Sequence, residues 1–308
     1  MTLIALLIGL IVERLATQLF HLREFRWLDR LIDAGFRQAG RFANWPALIP
    51  VALLTVLLGL PVFLVFLLIF GLGDALFGFP YMILAIIVLF FSLGPKDIGE
   101  DIDEYCRAAE ADDEEHIIRS AKALIEKDVP TDSGVRVAKV EEAVCIQANN
   151  RLFAVIFWFV LLGPWGPLGA WSYRVTDLIR RRAVFKASRA GDDSAAPRVL
   201  DAATRVHGWL AWIPARLTAI GYAMAGSFDG ALSAWRSPAD DRSEHHGDSS
   251  EQLLARVGVG ALALHDLENE SDVQRAVRGA LAAKGMVYRL FFIWAAVIAA
   301  MTLYGWSV

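Results

Sequence analysis

Residues 46–72 contain no Asp, Glu, Lys or Arg, and residues 79–95 repeat the pattern after a short gap. A helix needs roughly 20 apolar residues to cross a bilayer core of about 30 Å. The first run meets that length and the second nearly does. The chain therefore reads as an integral membrane protein of the all-α class, and its polar residues must be judged against a lipid solvent.

Composition supports this reading. Of 308 residues, 56% are hydrophobic and 21% charged, against about 25% charged in an average soluble domain. The net charge of −4 argues against nucleic acid as a partner, because a nucleic-acid binder shows a basic face. Cys106 and Cys145 both fall in a polar segment read as cytoplasmic, where a disulfide is not expected, and they lack zinc-site spacing. The first residues are apolar at once, with no basic leader and no small-residue cleavage site. They read as a retained span and not as a removed signal.

Six apolar blocks follow one another: 1–20, 46–72, 79–95, 152–171, 207–227 and 286–306. The second, third and sixth make good spans, and the whole chain reads as a single polytopic membrane domain, 1–308, with about four. Arg23, Arg26, Arg30, Arg37 and Arg41 place the segment after block one in the cytoplasm. Asp74 then faces outside, and 96–151 returns to the cytoplasm. Block four contains Gly163, Pro164, Gly166, Pro167 and Gly169, which break a helix. Two readings are open: a re-entrant hairpin turning at 163–169, which is preferred, or a true span that puts 172–285 outside. Non-helical backbone at membrane depth needs protein or a polar cavity around it. Block five, carrying Pro214 and Arg216, reads as a proline-broken interfacial or re-entrant helix.

The segment 96–151 reads as a cytoplasmic helical insertion. Ile98, Ile102, Tyr105, Cys106 and Ala109 keep helical spacing, and Ile117, Ile118, Ala121, Leu124 and Ile125 give a second helix one apolar face. Asp113 ahead of Glu114 and Glu115 marks a helix start, and a third helix is expected over 135–150. Residues 172–285 form a polar region with a mobile loop at 236–250. No internal repeat, phosphate-cradling glycine loop or nucleophile elbow is evident.

Ionisable groups inside membrane blocks cost about 2.5–3.5 kcal/mol each on insertion scales, so they mark candidate sites. Glu13, beside Arg14, meets either headgroups or a polar cavity. Glu141, Glu142, Gln147, Asn149, Asn150 and Arg151 run into block four, either as a solvated helix end or as a hold for a polar headgroup or a metal-bound phosphate. Arg174 and Asp177 lie one turn apart and can pair. The triplet Arg180–Arg182 is expected to anchor to anionic lipid. Arg216, two residues past Pro214, needs a carboxylate such as Glu13 or Glu142, or an anionic ligand. Together Glu13, Glu142, Asn149, Asn150, Arg174, Asp177 and Arg216 form the candidate ligand site. His245 and His246 are expected to be inert, and Arg289 to reach back to the interface. No metal site or cofactor is predicted.

The residues Trp-Ile-Pro-Ala-Arg-Leu-Thr-Ala at 212–219 resemble a signature of the CobD/CbiB family of membrane cobinamide-phosphate synthases. The opening Met-Thr-Leu-Ile-Ala-Leu-Leu-Ile-Gly-Leu-Ile-Val-Glu-Arg, the stretch Phe91–Gly94, Asn149–Phe153 and Gly163–Pro167 resemble the related AmpE family along the whole chain. That resemblance implies a regulatory signalling modulator of the bacterial inner membrane, linked to β-lactamase induction, antibiotic response and cell-wall stress. Its expected partners are membrane lipid, a small polar or phosphate-bearing ligand, and a second copy of the chain in a homo-oligomer. The synthases carry Asn-Thr-Leu-Asp-Ser-Met after the fourth block. Here Tyr173–Ile179 keeps Thr176 and Asp177 and lacks the Asn and the Ser-Met, so no catalytic role is transferred. The enzymatic alternative is an amide- or phosphate-transferring synthase, which would bring Mg²⁺ and a nucleotide.

Overall fold

The computed structural model describes residues 26–41, 46–71, 78–94, 97–126, 128–189, 195–237, 248–265, 267 and 270–304. Block one, Glu13, Arg14 and residues 238–247 lie outside them. Among the described residues the chain is all helical. The helices are α1 (Arg26–Arg41), α2 (Leu48–Gly71), α3 (Phe79–Ser92), α4 (Ile98–Glu110), α5 (Glu114–Leu124) and α6 (Ser133–Ala148). A π-helical turn, Asn149–Phe153, carries α6 into α7 (Ala154–Leu161). Then come α8 (Gly166–Ala187), α9 (Ala195–Ala225), α10 (Phe228–Arg236), α11 (Asp248–Leu262) and α12 (Asp272–Leu303).

Among the described residues, three stretches are long and apolar enough to cross a membrane: Leu48–Gly71, Ser133–Leu161 and Asp272–Leu303. On α2, Leu53, Val56, Leu57, Leu64, Leu68 and Phe70 are each more than half exposed. A water-facing surface rarely gathers so large an apolar patch. The third apolar block departs from expectation. Its helix has 14 residues, about 21 Å at 1.5 Å per residue, short of a full hydrocarbon core.

The chain divides into two compact units. The first comprises residues 1–95, 154–211 and 296–308. In it Leu28, Ile32 and Phe36 of α1, Leu54 and Leu58 of α2, Val88 of α3, and Val175 and Ile179 of α8 share one core. The chain does fold back after α7, but more tightly than the sequence suggests. Gly163, with φ +53°, and a single 3-10 turn, Gly163–Trp165, make the reversal, and Gly166–Gly169 already belong to α8. Pro167 sits in the first turn of α8, where its missing N–H costs nothing. Gly169 lets α7 come close: a Cβ there would stand 2.8 Å from Trp158 O.

The second unit comprises residues 96–153 and 212–295. Tyr105, Leu124, Val140, Val144, Cys145, Ala219, Tyr222, Val257, Ala283 and Leu290 are among its core residues. Asp113 caps α5 as the sequence predicts, accepting from the His116 amide at 3.1 Å. α10 and α11 cross where Gly230 meets Gly260, leaving no room for a Cβ.

Pro214 does not break α9, which is continuous over Ala195–Ala225. A proline inside a helix deprives the carbonyl four residues earlier of its donor. That carbonyl, Leu210 O, instead accepts the Trp158 indole N–H at 3.0 Å. Near Pro61 of α2 a second indole bonds a helical carbonyl, Trp171 Nε1 donating to Leu58 O at 3.0 Å, three residues before the proline and not four.

Candidate functional site

Each unit holds a buried polar cluster. In the first unit the cluster is built on α8, whose 3.6-residue period gathers Tyr173, Arg174, Asp177, Arg180 and Arg181 around one carboxylate. Asp177 is 0% exposed. Arg174 Nη1 donates to its Oδ2 at 3.0 Å, Arg180 Nη2 to Oδ1 at 3.1 Å and Arg181 Nε to Oδ2 at 2.8 Å. His207 Nε2, from α9, stands 3.9 Å from Oδ1 and 3.2 Å from the Tyr173 hydroxyl. Burial pushes the Asp177 carboxyl up, but the Arg181, Arg180 and Arg174 charges together hold it well below the usual carboxylate range.

The predicted Arg174–Asp177 pair is thus formed. The predicted lipid anchor at Arg180–Arg182 is not what the structure shows. Arg180 and Arg181 turn inward to Asp177, and Arg182 clasps Asp33 of α1 at 2.9 and 2.6 Å. Lys186 joins that pair at 3.2 Å from Asp33. Asp177 lies within about one turn of Arg180 and Arg181, and Asp33 of α1 is fixed beside Arg182; a fixed acid outcompetes a diffuse headgroup layer.

In the second unit the cluster is centred on the π-turn. An α-helix turns 100° per residue, so three consecutive side chains normally fan over half its circumference. Here Asn149, Asn150 and Arg151 are all buried. Asn149 Nδ2 donates to Asn150 Oδ1 at 3.0 Å, and Asn150 Nδ2 to Glu251 Oε1 at 3.2 Å. Thr218 Oγ1 donates to Asn149 Oδ1 at 3.0 Å. Arg151 reaches the other way, to Gln147 Oε1 at 3.0 Å, Asp101 Oδ2 at 2.7 Å and Ala123 O at 2.8 Å. Gln147 in turn donates to Glu126 at 2.9 Å. A wider ring of ion pairs ties helices together: Glu141 with Arg275, Arg136 with Glu114 at 2.8 Å, and Lys284 with Asp103 at 2.5 Å.

Of the predicted ligand residues, Arg174 and Asp177 meet in the first unit, and Asn149 and Asn150 meet in the second. Glu142, on α6, pairs with Lys139 at 2.7 Å. It is not the acid partner of Arg216. Arg216 lies on the outer side of α9, its guanidinium 3.9 Å above the Trp212 ring and its Nη1 donating to Trp212 O at 3.0 Å. Among the described residues no carboxylate pairs with it. Asp101, Thr218, Glu251 and His207 were not singled out as site residues. Thr218 was the discoverable one, because it closes the Pro-Ala-Arg-Leu-Thr motif. The others sit in ordinary helical contexts and become notable only through contacts distant in sequence.

The motif thus has two faces. Thr218 and Ala219 look inward, and Trp212, Arg216 and Leu217 look outward. Chemically the inner face can exchange hydrogen bonds, and the outer face can hold an anion.

The family model described as "Regulatory signalling modulator protein AmpE" matches residues 1–308. Protein AmpE of Shigella flexneri is 28% identical over 99% of both chains. The cobalamin biosynthesis protein CobD of Stutzerimonas stutzeri (strain A1501) is 27% identical over 50% of this chain and 48% of its own. No solved structure matches. Matched from its first residue to its last, this chain belongs to the AmpE family of regulatory signalling modulator proteins.

Proposed function

We propose that the chain is a multi-pass inner-membrane regulator in the pathway of β-lactamase induction and cell-wall stress, and that it senses an anionic ligand at a cytoplasmic mouth through Arg216. One observation carries this reading. A single residue, Leu217, separates an outward guanidinium, with no acid partner among the described residues, from Thr218, which hydrogen-bonds the π-turn at Asn149. An anion drawn to Arg216 pulls on the same helical turn that holds Thr218. A π-turn inside a helix is a frequent mark of a functional position. The family supplies the signalling role, and the α9–π-turn contact supplies a route by which binding reaches the buried network.

The test is Arg216→Ala and Arg216→Lys in the full chain. Inorganic phosphate and soluble phosphate monoesters should raise the thermal stability of the wild type, less so Arg216→Lys, and not Arg216→Ala. A strain lacking the wild-type gene and complemented with Arg216→Ala should show altered β-lactamase induction. Sidedness is read by Ala190→Cys and a membrane-impermeant maleimide in intact cells. Labelling there would place the region after α8 outside and remove the cytoplasmic mouth. Cys106 and Cys145 are both buried, so the native background is low.

The CobD relative favours a second reading, a membrane synthase. It predicts nucleotide consumption that depends on Mg²⁺ and an amine acceptor. Purified protein that turns over no nucleotide under those conditions retires it.

A further inference from the structure

The ligand class at Arg216 can be narrowed from the surroundings of that residue within the second unit. Tyr222 donates to Cys145 O at 2.7 Å, and Thr218 to Asn149 at 3.0 Å. A step of four residues down α9 therefore matches a step of four up α6, so the two helices run antiparallel. Two residues further, Arg216 stands level with Arg151, after which the chain carries no charge until Arg174. On α12 the same level falls near Trp294, whose ring lies 5.6 Å from that of Phe153. Trp294 lies inside the uncharged stretch 290–303. Arg216 is thus placed where polar helix gives way to apolar helix.

At that level the outer side of α9 is apolar and open. Trp212 is 51% exposed, Ile213 43%, Leu217 41% and Ile220 50%. A tryptophan and an arginine within an apolar stripe are the residues that settle at the headgroup layer of a bilayer. We propose that Arg216 and Trp212 form a headgroup site for an anionic phospholipid, the guanidinium taking the phosphate and the apolar stripe the upper acyl chain. A second copy of the chain is a poorer occupant. A two-fold contact through this stripe would set each Arg216 against its own equivalent, with no acid beside it among the described residues. The inference rests on the anion-binding reading above and names its ligand.

The full chain in neutral detergent is titrated with phosphatidylglycerol, phosphatidylcholine and inorganic phosphate, and bound lipid is counted by native mass spectrometry. Phosphatidylglycerol should bind the wild type better than phosphatidylcholine. Arg216→Ala should weaken it about five-fold, the weight of one basic residue near an anionic surface. Arg216→Lys should keep part of the preference, and Arg119→Ala, on the exposed side of α5, all of it. Circular dichroism of each variant confirms folding. Equal phosphatidylglycerol binding by wild type and Arg216→Ala overturns the lipid assignment. If inorganic phosphate then still binds in an Arg216-dependent way, anion sensing survives without lipid. If nothing depends on Arg216, both readings fall.

Discussion

Arg151→Met tests whether the π-turn network holds the second unit together. Arg151 is 6% exposed, and its guanidinium contacts Asp101, Gln147 and a backbone carbonyl. Asp101 is 5% exposed. With charge centres roughly 4 Å apart and an effective dielectric of about 20, their attraction is about 4 kcal/mol. Removing one partner of a buried pair usually costs about 3–5 kcal/mol, because the other charge stays in a poor solvent. Methionine fills much of the same volume, so little of the loss comes from a cavity. Full-length Arg151→Met in detergent should therefore lose about 3–5 kcal/mol by equilibrium unfolding. Asp101→Leu combined with Arg151→Met should recover most of that loss, since a paired apolar replacement strands no charge. Glu142→Gln is the internal control. Its partner Lys139 is half exposed, and such a pair is worth under about 1 kcal/mol. If Arg151→Met lies within about 1 kcal/mol of wild type, the cluster is not structural, and the account of the π-turn as a strut is wrong.

Three other outcomes follow from the geometry. Thr218→Val should cost about 1–3 kcal/mol in the same unfolding assay, as Asn149 loses a buried partner. Trp158→Phe should cost a similar amount by stranding Leu210 O, and a loss below about 0.5 kcal/mol would show that water or backbone adjustment replaces the indole. The Arg182 hydrogen bond, with Lys186 adding to it against burial, holds the Asp33 carboxyl below its ordinary value. A depressed carboxyl contributes stability above the unfolded value of about 4, and that contribution fades as pH falls through the lower folded value. Thermal unfolding from pH 2.5 to 6 should thus show wild type and Asp33→Asn converging at the acid end and separating above about pH 4. A constant gap across that range would refute the pairing.

The helical class, the apolar run of α2 and the cap at Asp113 were legible because each rests on neighbours in sequence. The glycine-proline reversal was legible in kind but not in extent. Pro167 reads as a breaker until it is seen at a helix start, where its missing N–H is harmless. Pro214 misled for the opposite reason. Its cost is met by an indole from α7, 52 positions away along the chain from the carbonyl it serves. Likewise the Arg180–Arg182 triplet looked like a lipid anchor, because the acids that claim Arg182 lie on α1. The two predicted asparagines did meet, and Arg174 did find Asp177, since both pairings are local in the chain.

The π-turn is where local pattern and tertiary demand diverge most. Taken as unbroken α-helix, residues 133–161 would turn 100° at every step, and Asn149, Asn150 and Arg151 would fan over half its circumference. Widening one turn lets Asn149 reach Thr218, Asn150 reach Glu251 and Arg151 reach Asp101. It also resets the phase of the apolar residues that follow, so that Phe153 packs against Trp294. A π-turn braced by these side-chain contacts has a nearby alternative, the regular α register, which those contacts oppose. Loosening Thr218 favours that alternative directly. If Arg216 reports on an anion, Thr218→Val should leave anion binding intact while cutting its effect on thermal stability, and that separation of binding from response is what a merely structural Thr218 would not produce.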